Sequence, residues 1–187
     1  MLDKKQLRKR YYKVRKNNYF EISDNFFKPL ISLLDKLFKK KLIYLSSYYP
    51  SNYEVNTLNL FNLIKRKTQI KKVLLPVINS RDKMTFVQWD FLDILKVNKY
   101  GILEPVIKKR SLIPNVALVP LLAFDKNNYR LGYGKGYYDK FLNKYLKMNK
   151  NILTIGVAFS FQKYNKLPIS KLDVKLDYIL TEKGIIK

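Results

Sequence analysis

Three of the chain's six glycines, Gly132, Gly134 and Gly136, alternate between Arg130 and Asp139. Glycine has no Cβ, so such a loop can adopt positive φ and bring its backbone close to a ligand. The residues that follow read as a helix, whose first turn aims free N–H groups and the positive dipole end at whatever binds. Arg130 and Lys135 add charge-assisted donors suited to phosphate oxygens. No Gly-Lys-Ser/Thr follows, so this is not a Walker loop, and the alternate spacing departs from the dinucleotide fingerprint. A tight strand-to-helix turn with no ligand is the plainer alternative. Tyr137, Tyr138 and Asp139 fall in the first helical turn. An acid there is favoured by the dipole alone, or it could hold Mg2+ beside a nucleotide phosphate. The two tyrosines could serve the core on one side and stack on a ligand on the other.

Composition narrows the chemistry further. The chain has no cysteine and no histidine. Thiolate nucleophiles, disulfides, histidine bases and most zinc or iron sites are therefore excluded. Acid–base and metal work is left to Asp, Glu, Tyr, Lys and Arg. The net charge of +24 has two readings. One is a nucleic-acid surface, because phosphates reward clustered cations. The other is compositional bias: only seven of the 38 basic residues are arginine, and they are scattered along the chain rather than gathered in one tail. The second reading is preferred, and nucleic acid is not the expected partner. Either way the field attracts small polyanions.

Elements that could position these groups follow from periodicity. The chain of 187 residues reads as one domain over 1–187, with no repeat and no Gly-, Pro- or Ser-rich linker. Residues 2–17 read as a basic helix carrying Leu7, Tyr11 and Val14 on one face. Asp24 could cap a second helix with Phe27, Leu30, Ile31, Leu34, Leu37 and Phe38 on its apolar side. Strands are expected at 42–49, 73–78, 84–89, 116–119, 153–159 and 178–181, the third antiparallel to a neighbour. Helices are expected from about 55 to 64 and over 136–148. Residues 96–112 read as irregular. The alternation of strands and helices predicts an α/β fold, a single-domain αβα sandwich whose mixed, mostly parallel sheet is flanked by helices. The N-terminus has no signal-peptide apolar stretch and no run reaches membrane-span length, so a cytoplasmic protein without a membrane partner is expected.

The segment from Val119 to Asp139 resembles the signature of the 5-formyltetrahydrofolate cyclo-ligase (methenyltetrahydrofolate synthetase) family. That pattern is apolar-Pro-x-x-x-Phe-Asp, a short turn, then Arg-Leu-Gly-x-Gly-x-Gly-Tyr-Tyr-Asp, and residues 130–139 meet every fixed position. Further matches run in order along the chain. Lys4, Lys5 and Arg8 resemble the family's basic N-terminal helix. Glu54 to Thr57 resemble its Glu-x-x-Thr element, and Met84 and Trp89 fall in its pocket strand. Gly101 to Pro105 resemble Gly-x-x-Glu-Pro. Gly156 to Phe159 with Gln162, then Pro168, Asp173, Asp177, Thr181 and Glu182, resemble its C-terminal pattern. Leu121 and Asn128 stand where glycine is usual, and Leu172 where histidine often precedes the aspartate.

The resemblance implies an ATP- and Mg2+-dependent ligase acting on a reduced folate, with ATP as co-substrate. It implies Arg130 and Lys135 as catalytic cations. It assigns ATP to Lys4, Lys5, Arg8, Arg130, Leu131, Gly132, Tyr133, Gly134, Lys135, Gly136, Tyr137 and Tyr138. It assigns the folate to Glu54, Met84, Trp89, Tyr133, Gly134, Lys135, Gly136 and Tyr137, and Mg2+ to Asp139 and Asp173. The expected partners are ATP and a reduced folate, with or without a polyglutamate tail, bound by a monomer. Two other readings stay open: a basic nucleic-acid-binding module, and a nucleotide-binding relative without folate turnover.

Overall fold

In a computed structural model, the structure describes residues 2–39, 41–64, 69–79, 83–106, 110–148 and 151–187, with Asp24 by its backbone alone. The chain opens with α1 (Lys4–Asn18). Asp3 starts it through a capping box: its carboxylate accepts from Gln6 N at 2.7 Å, and Gln6 Oε1 accepts from Asp3 N at 3.0 Å. Leu7, Tyr11 and Arg15 are the residues this helix buries. They lie four apart, which places them on one face. The third inward position is therefore the cation Arg15, where the sequence suggested Val14, which is only half-buried. A 3-10 turn (Asp24–Phe27) then leads into α2 (Lys28–Phe38), and the expected cap at Asp24 lies outside the described side chains.

The remaining elements are β1 (Ile43–Ser46), α3 (Leu58–Ile64), β2 (Ile70–Ile78), β3 (Met84–Gln88), β4 (Leu95–Val97), β5 (Leu103–Pro105), β6 (Ser111–Leu112), β7 (Val116–Pro120), β8 (Ala123–Phe124), β9 (Arg130–Leu131), α4 (Tyr137–Lys147), β10 (Leu153–Val157), β11 (Tyr178–Thr181) and β12 (Gly184–Ile186). One sheet of eight strands runs in the order β12-β11-β10-β7-β1-β2-β3-β6. Its five central strands are parallel; β12, β3 and β6 join antiparallel at the edges. The expected mixed, mostly parallel sheet between helices is what the chain forms.

Alternation along each strand sends side chains to two cores. Leu45, Leu75, Leu118 and Ile155 pack under α2 and α3, against Leu30, Leu34, Leu60 and Phe61. Leu74, Phe86, Ala117 and Ile179 face the other way and meet Phe141 and Leu142 of α4. A third cluster seats α1: Leu7 and Tyr11 pack on Leu122, Ala123, Leu131 and Leu167. The region read as irregular contains a hairpin, β4 on β5, and the edge strand β6; residues 107–109 lie outside the described part. These strands are two or three residues long, too short for alternation to register. Their anchor is Glu104, only 3% exposed, which accepts from Ile78 N and Asn98 Nδ2 at 3.1 Å each and pairs with Lys96 at 3.7 Å.

Candidate functional site

A cavity of about 790 Å3 opens beyond the carboxyl ends of β1, β2 and β7, where open parallel sheets usually bind their ligands. One wall is the glycine loop with the basic side of α1. The other is aromatic, made by Tyr48, Tyr49, Tyr100 and Tyr137 together with Pro76, Ile78 and Met84.

The loop is built by its glycines. Gly134 and Gly136 have φ of 96° and 68°, and Gly136 is the residue from which α4 starts. A side chain at either position would be strained. Arg8 lies across Gly134, with Cζ 3.2 Å from where a methyl would stand, and its Nε donates to Gly132 O at 2.9 Å. Lys4, one turn earlier, also lines the cavity. Lys5 does not: it is exposed on α1, about 100° round the helix from Lys4. Of the three basic residues of α1 assigned to ATP, two line the cavity.

Arg130 is folded back over the loop. Its side chain is 5% exposed, its Nη2 donates to Asp139 Oδ2 at 2.8 Å, and its guanidinium lies 5.6 Å from the Tyr138 ring centre. Its Nε is buried without a hydrogen-bond partner among the described residues. Asp139 Oδ1 accepts from Val174 N at 3.3 Å. The neighbouring Asp173 pairs with Lys4 Nζ at 2.5 Å and accepts from Ser170 N at 2.6 Å. Asp139 thus bonds the residue that follows Asp173, and each of the two acids assigned to Mg2+ pairs with one cation that lines the cavity. Among the described residues no group of three acids forms a metal cage. Lys135 projects over Tyr100, 5.6 Å from its ring centre, and the hydroxyls of Tyr100 and Tyr137 are 2.6 Å apart.

Glu54 is buried behind Tyr133. Its Oε1 accepts a short hydrogen bond from Tyr133 Oη, and its Oε2 accepts from Ser51 N at 2.9 Å. Burial pushes its carboxyl above the ordinary range, against the opposing pull of Arg15 and these two bonds. Burial also pushes the Tyr133 hydroxyl well up, and the Glu54 charge adds to it. Tyr133 as a residue is 41% exposed and lines the cavity, while its hydroxyl points inward to Glu54 and Arg15. Leu131 lines the cavity by position, but its side chain belongs to the core under α1.

Met84 reaches the cavity, whereas Trp89 does not. They are five residues apart, an odd number, so the pleat sends them to opposite faces. Trp89 is buried against Phe61, ring centres 5.1 Å apart, in the core under α3. Its assignment to the folate is corrected for that reason.

The departures from the family pattern also find their places. Leu121 turns into the core, where its Cδ2 would stand 2.8 Å from a methyl at Gly156. It fills space that glycine 156 leaves, and it does not line the cavity. Asn128 has φ of 62°, a conformation asparagine tolerates better than most residues. Leu172 is exposed at the cavity rim. Arg15, Tyr48, Tyr49 and Tyr100 were not found by sequence reasoning. A chain with 15 tyrosines hides the few that line a site. A lysine- and arginine-rich helix likewise hides the one cation that points inward.

Among the described residues no helix is long and apolar enough to cross a membrane. The sequence profile of the 5-formyltetrahydrofolate cyclo-ligase family matches residues 2–182. The cyclo-ligase of Haemophilus influenzae is 32% identical over 139 residues, 71% of this chain and 72% of that protein. The cyclo-ligase of Mycoplasma pneumoniae is 37% identical over 116 residues, 54% of this chain and 68% of its own. The structure of the Aquifex aeolicus 5,10-methenyltetrahydrofolate synthetase superposes with a TM-score of 0.73 at 30% identity, covering 97% of this chain and 91% of that one. The Mycoplasma pneumoniae synthetase structure gives 0.70 at 28% identity, covering 96% and 98%. The chain belongs to the 5-formyltetrahydrofolate cyclo-ligase family.

Proposed function

We propose that this chain is an ATP-dependent ligase that cyclises 5-formyltetrahydrofolate to 5,10-methenyltetrahydrofolate, releasing ADP and phosphate. The observation that carries the reading is the single cavity with two unlike walls: a glycine loop faced by Lys4, Arg8 and Lys135, and a tyrosine-lined wall ending at Glu54. A polyanion and a flat heterocycle can meet there.

The formyl oxygen is a poor leaving group. It attacks the γ-phosphorus, ADP departs, and an imino-phosphate forms at N5. N10 then attacks the formyl carbon, the ring closes, N10 gives up its proton, and phosphate carries away the former formyl oxygen. No side chain needs to act as a nucleophile, which suits a chain without Cys or His. The protein's work is positioning and charge stabilisation. Arg8, Lys4, Lys135 and Arg130 neutralise phosphate oxygens, and the N–H groups of residues 132–136 approach the triphosphate. Glu54 accepts hydrogen bonds from the heterocycle, whose face rests on Tyr133 and Tyr137. Lys140, Lys144 and Lys147 of α4 line the outer cavity and suit a polyglutamate tail.

Two carboxylates lining the cavity, those of Asp139 and Asp173, fit a magnesium ion that arrives on the triphosphate, because Mg2+ commonly takes one or two carboxylates plus phosphate oxygens and water. Asp139 and Asp173 would hold it, and its charge would offset that of the β- and γ-phosphates. Lys4 and Arg130, which pair with these two acids, would supply the remaining positive charge beside the phosphates.

The test is growth of the methenyl absorbance band with purified protein. It should require ATP, Mg2+ and 5-formyltetrahydrofolate together, with one ADP per product. Binding of ATP without any methenyl growth would favour a nucleotide-binding relative that lacks folate turnover.

A further inference from the structure

One cation of α1 points away from solvent. Arg15 is 1% exposed, and its described hydrogen bonds run to three separate elements of the site. Nη1 donates to Leu121 O at 3.1 Å, just past β7, and to Tyr133 Oη at 2.7 Å in the glycine loop. Nη2 donates to Asn52 O at 2.6 Å, in the loop that carries Glu54. The guanidinium also sits 5.5 Å from the Tyr133 ring centre. Two carbonyls and a phenol receive these bonds, and none goes to a carboxylate.

The chemistry of the donors fixes a direction. A guanidinium can only donate, so the Tyr133 oxygen accepts from it. The Tyr133 proton is then left to point at Glu54 Oε1. Glu54 already accepts from Ser51 N on its other oxygen, so the whole carboxylate is held as an acceptor. We propose that Arg15 is a positioning residue that, through Tyr133, holds Glu54 as an ionised acceptor and ties the phosphate-binding loop to the wall that receives the heterocycle. This rests on the cyclo-ligase reading given above. Arg15 does not line the cavity; it acts through Tyr133, through the Asn52 carbonyl and through its own charge near Glu54.

Other groups also face Glu54. Tyr48 lies beside it from the segment after β1, and Tyr138 from α4. Both are neutral at working pH, because burial pushes each hydroxyl up. Arg15 is therefore the cation whose removal should let the Glu54 carboxyl rise further.

The experiment measures binding of 5-formyltetrahydrofolate to the full chain across pH 5 to 8, without ATP, for wild type, Arg15→Met, Arg15→Lys and Tyr133→Phe. In Arg15→Met the acid limb of binding should move up by about one pH unit. Arg15→Lys keeps the charge and should restore part of that displacement. Tyr133→Phe, which leaves Arg15 in place and cuts the link, should move the limb in the same direction. Should Arg15→Met fail to give a cooperative melt, Arg15→Lys carries the test: its acid limb should still lie above that of wild type, and a coincident limb overturns the proposal. A folded Arg15→Met or Tyr133→Phe protein whose acid limb coincides with wild type overturns the proposal. Wild-type protein that binds no reduced folate overturns the cyclo-ligase reading instead, so the two failures are distinguishable.

Discussion

The guanidinium of Arg130 lies so close over the α-carbon of Gly132 that a methyl there would stand 2.5 Å from Nη1. The first glycine of the loop is thus a seat for Arg130 rather than a hinge. Its φ is not positive, unlike those of Gly134 and Gly136.

Gly132→Ala should therefore push Arg130 out of register without unfolding the protein. The expected result is a fall in kcat/KM for ATP on the order of 100-fold, the cost of a misplaced catalytic group. Comparison of kinetics with melting temperature checks it. Unchanged kinetics in Gly132→Ala would mean that Arg130 moves freely.

Asp139→Asn removes the charge partner of a nearly buried cation. Breaking such a pair should cost about 3 kcal/mol of stability in the ligand-free protein. It should also raise the magnesium concentration needed for half-maximal turnover. Denaturant melts and a magnesium titration read the two effects separately. A destabilised variant with an unchanged titration would leave Asp139 with Arg130 alone.

Burial pushes the Asp173 carboxyl up, but the Lys4 ammonium and the Ser170 N–H and hydroxyl outweigh it and hold it below 3.8. A carboxyl lowered by folding stabilises the native state above its unfolded value, and that stability is lost as pH falls through the folded value. Asp173→Asn should therefore flatten the acid side of the melting curve plotted against pH. Parallel curves for variant and wild type would count against the Lys4 pairing.

Glu54 has the opposite sign. Burial holds its carboxyl above 4.5, so its ionisation opposes folding as pH rises through that range. Glu54→Gln should melt higher than wild type at pH 7, with less gain at pH 4.5. Its affinity for the reduced folate should fall roughly 10- to 100-fold, as loss of charge-assisted hydrogen bonds predicts. A variant that loses stability at pH 7 would show that the buried charge is compensated.

Trp89 and Met84 separate packing from binding. Trp89→Phe should lower stability by about 1–2 kcal/mol while the folate KM stays put. Met84→Ala should raise that KM. A folate KM that follows Trp89 instead would restore it to the site.

Much of the site was legible because it is local. Residues 130–139 form a strand end, a glycine loop and a helix start, and the glycine spacing together with the flanking Arg130, Lys135 and Tyr137-Tyr138-Asp139 carries the anion-binding reading. The parallel sheet was legible because strands such as β7 and β10 are short apolar runs, one before and one after α4. What escaped depends on contacts across the chain. Lys5 and Lys4 differ only in which way the helix turns them. Trp89 and Met84 differ only in the parity of the pleat. Arg15 is invisible in sequence because its acceptors, Asn52, Leu121 and Tyr133, come from three distant segments. The β4–β5 hairpin escaped because three-residue strands leave no periodic trace.

In the proposed reaction the γ-phosphoryl group passes to the formyl oxygen. The most direct test uses 5-formyltetrahydrofolate carrying a heavy oxygen isotope in its formyl group, with Mg-ATP and the purified chain. The account predicts that the methenyl band grows while the heavy oxygen appears in the released phosphate. Absence of methenyl growth, or growth with unlabelled phosphate, would contradict it.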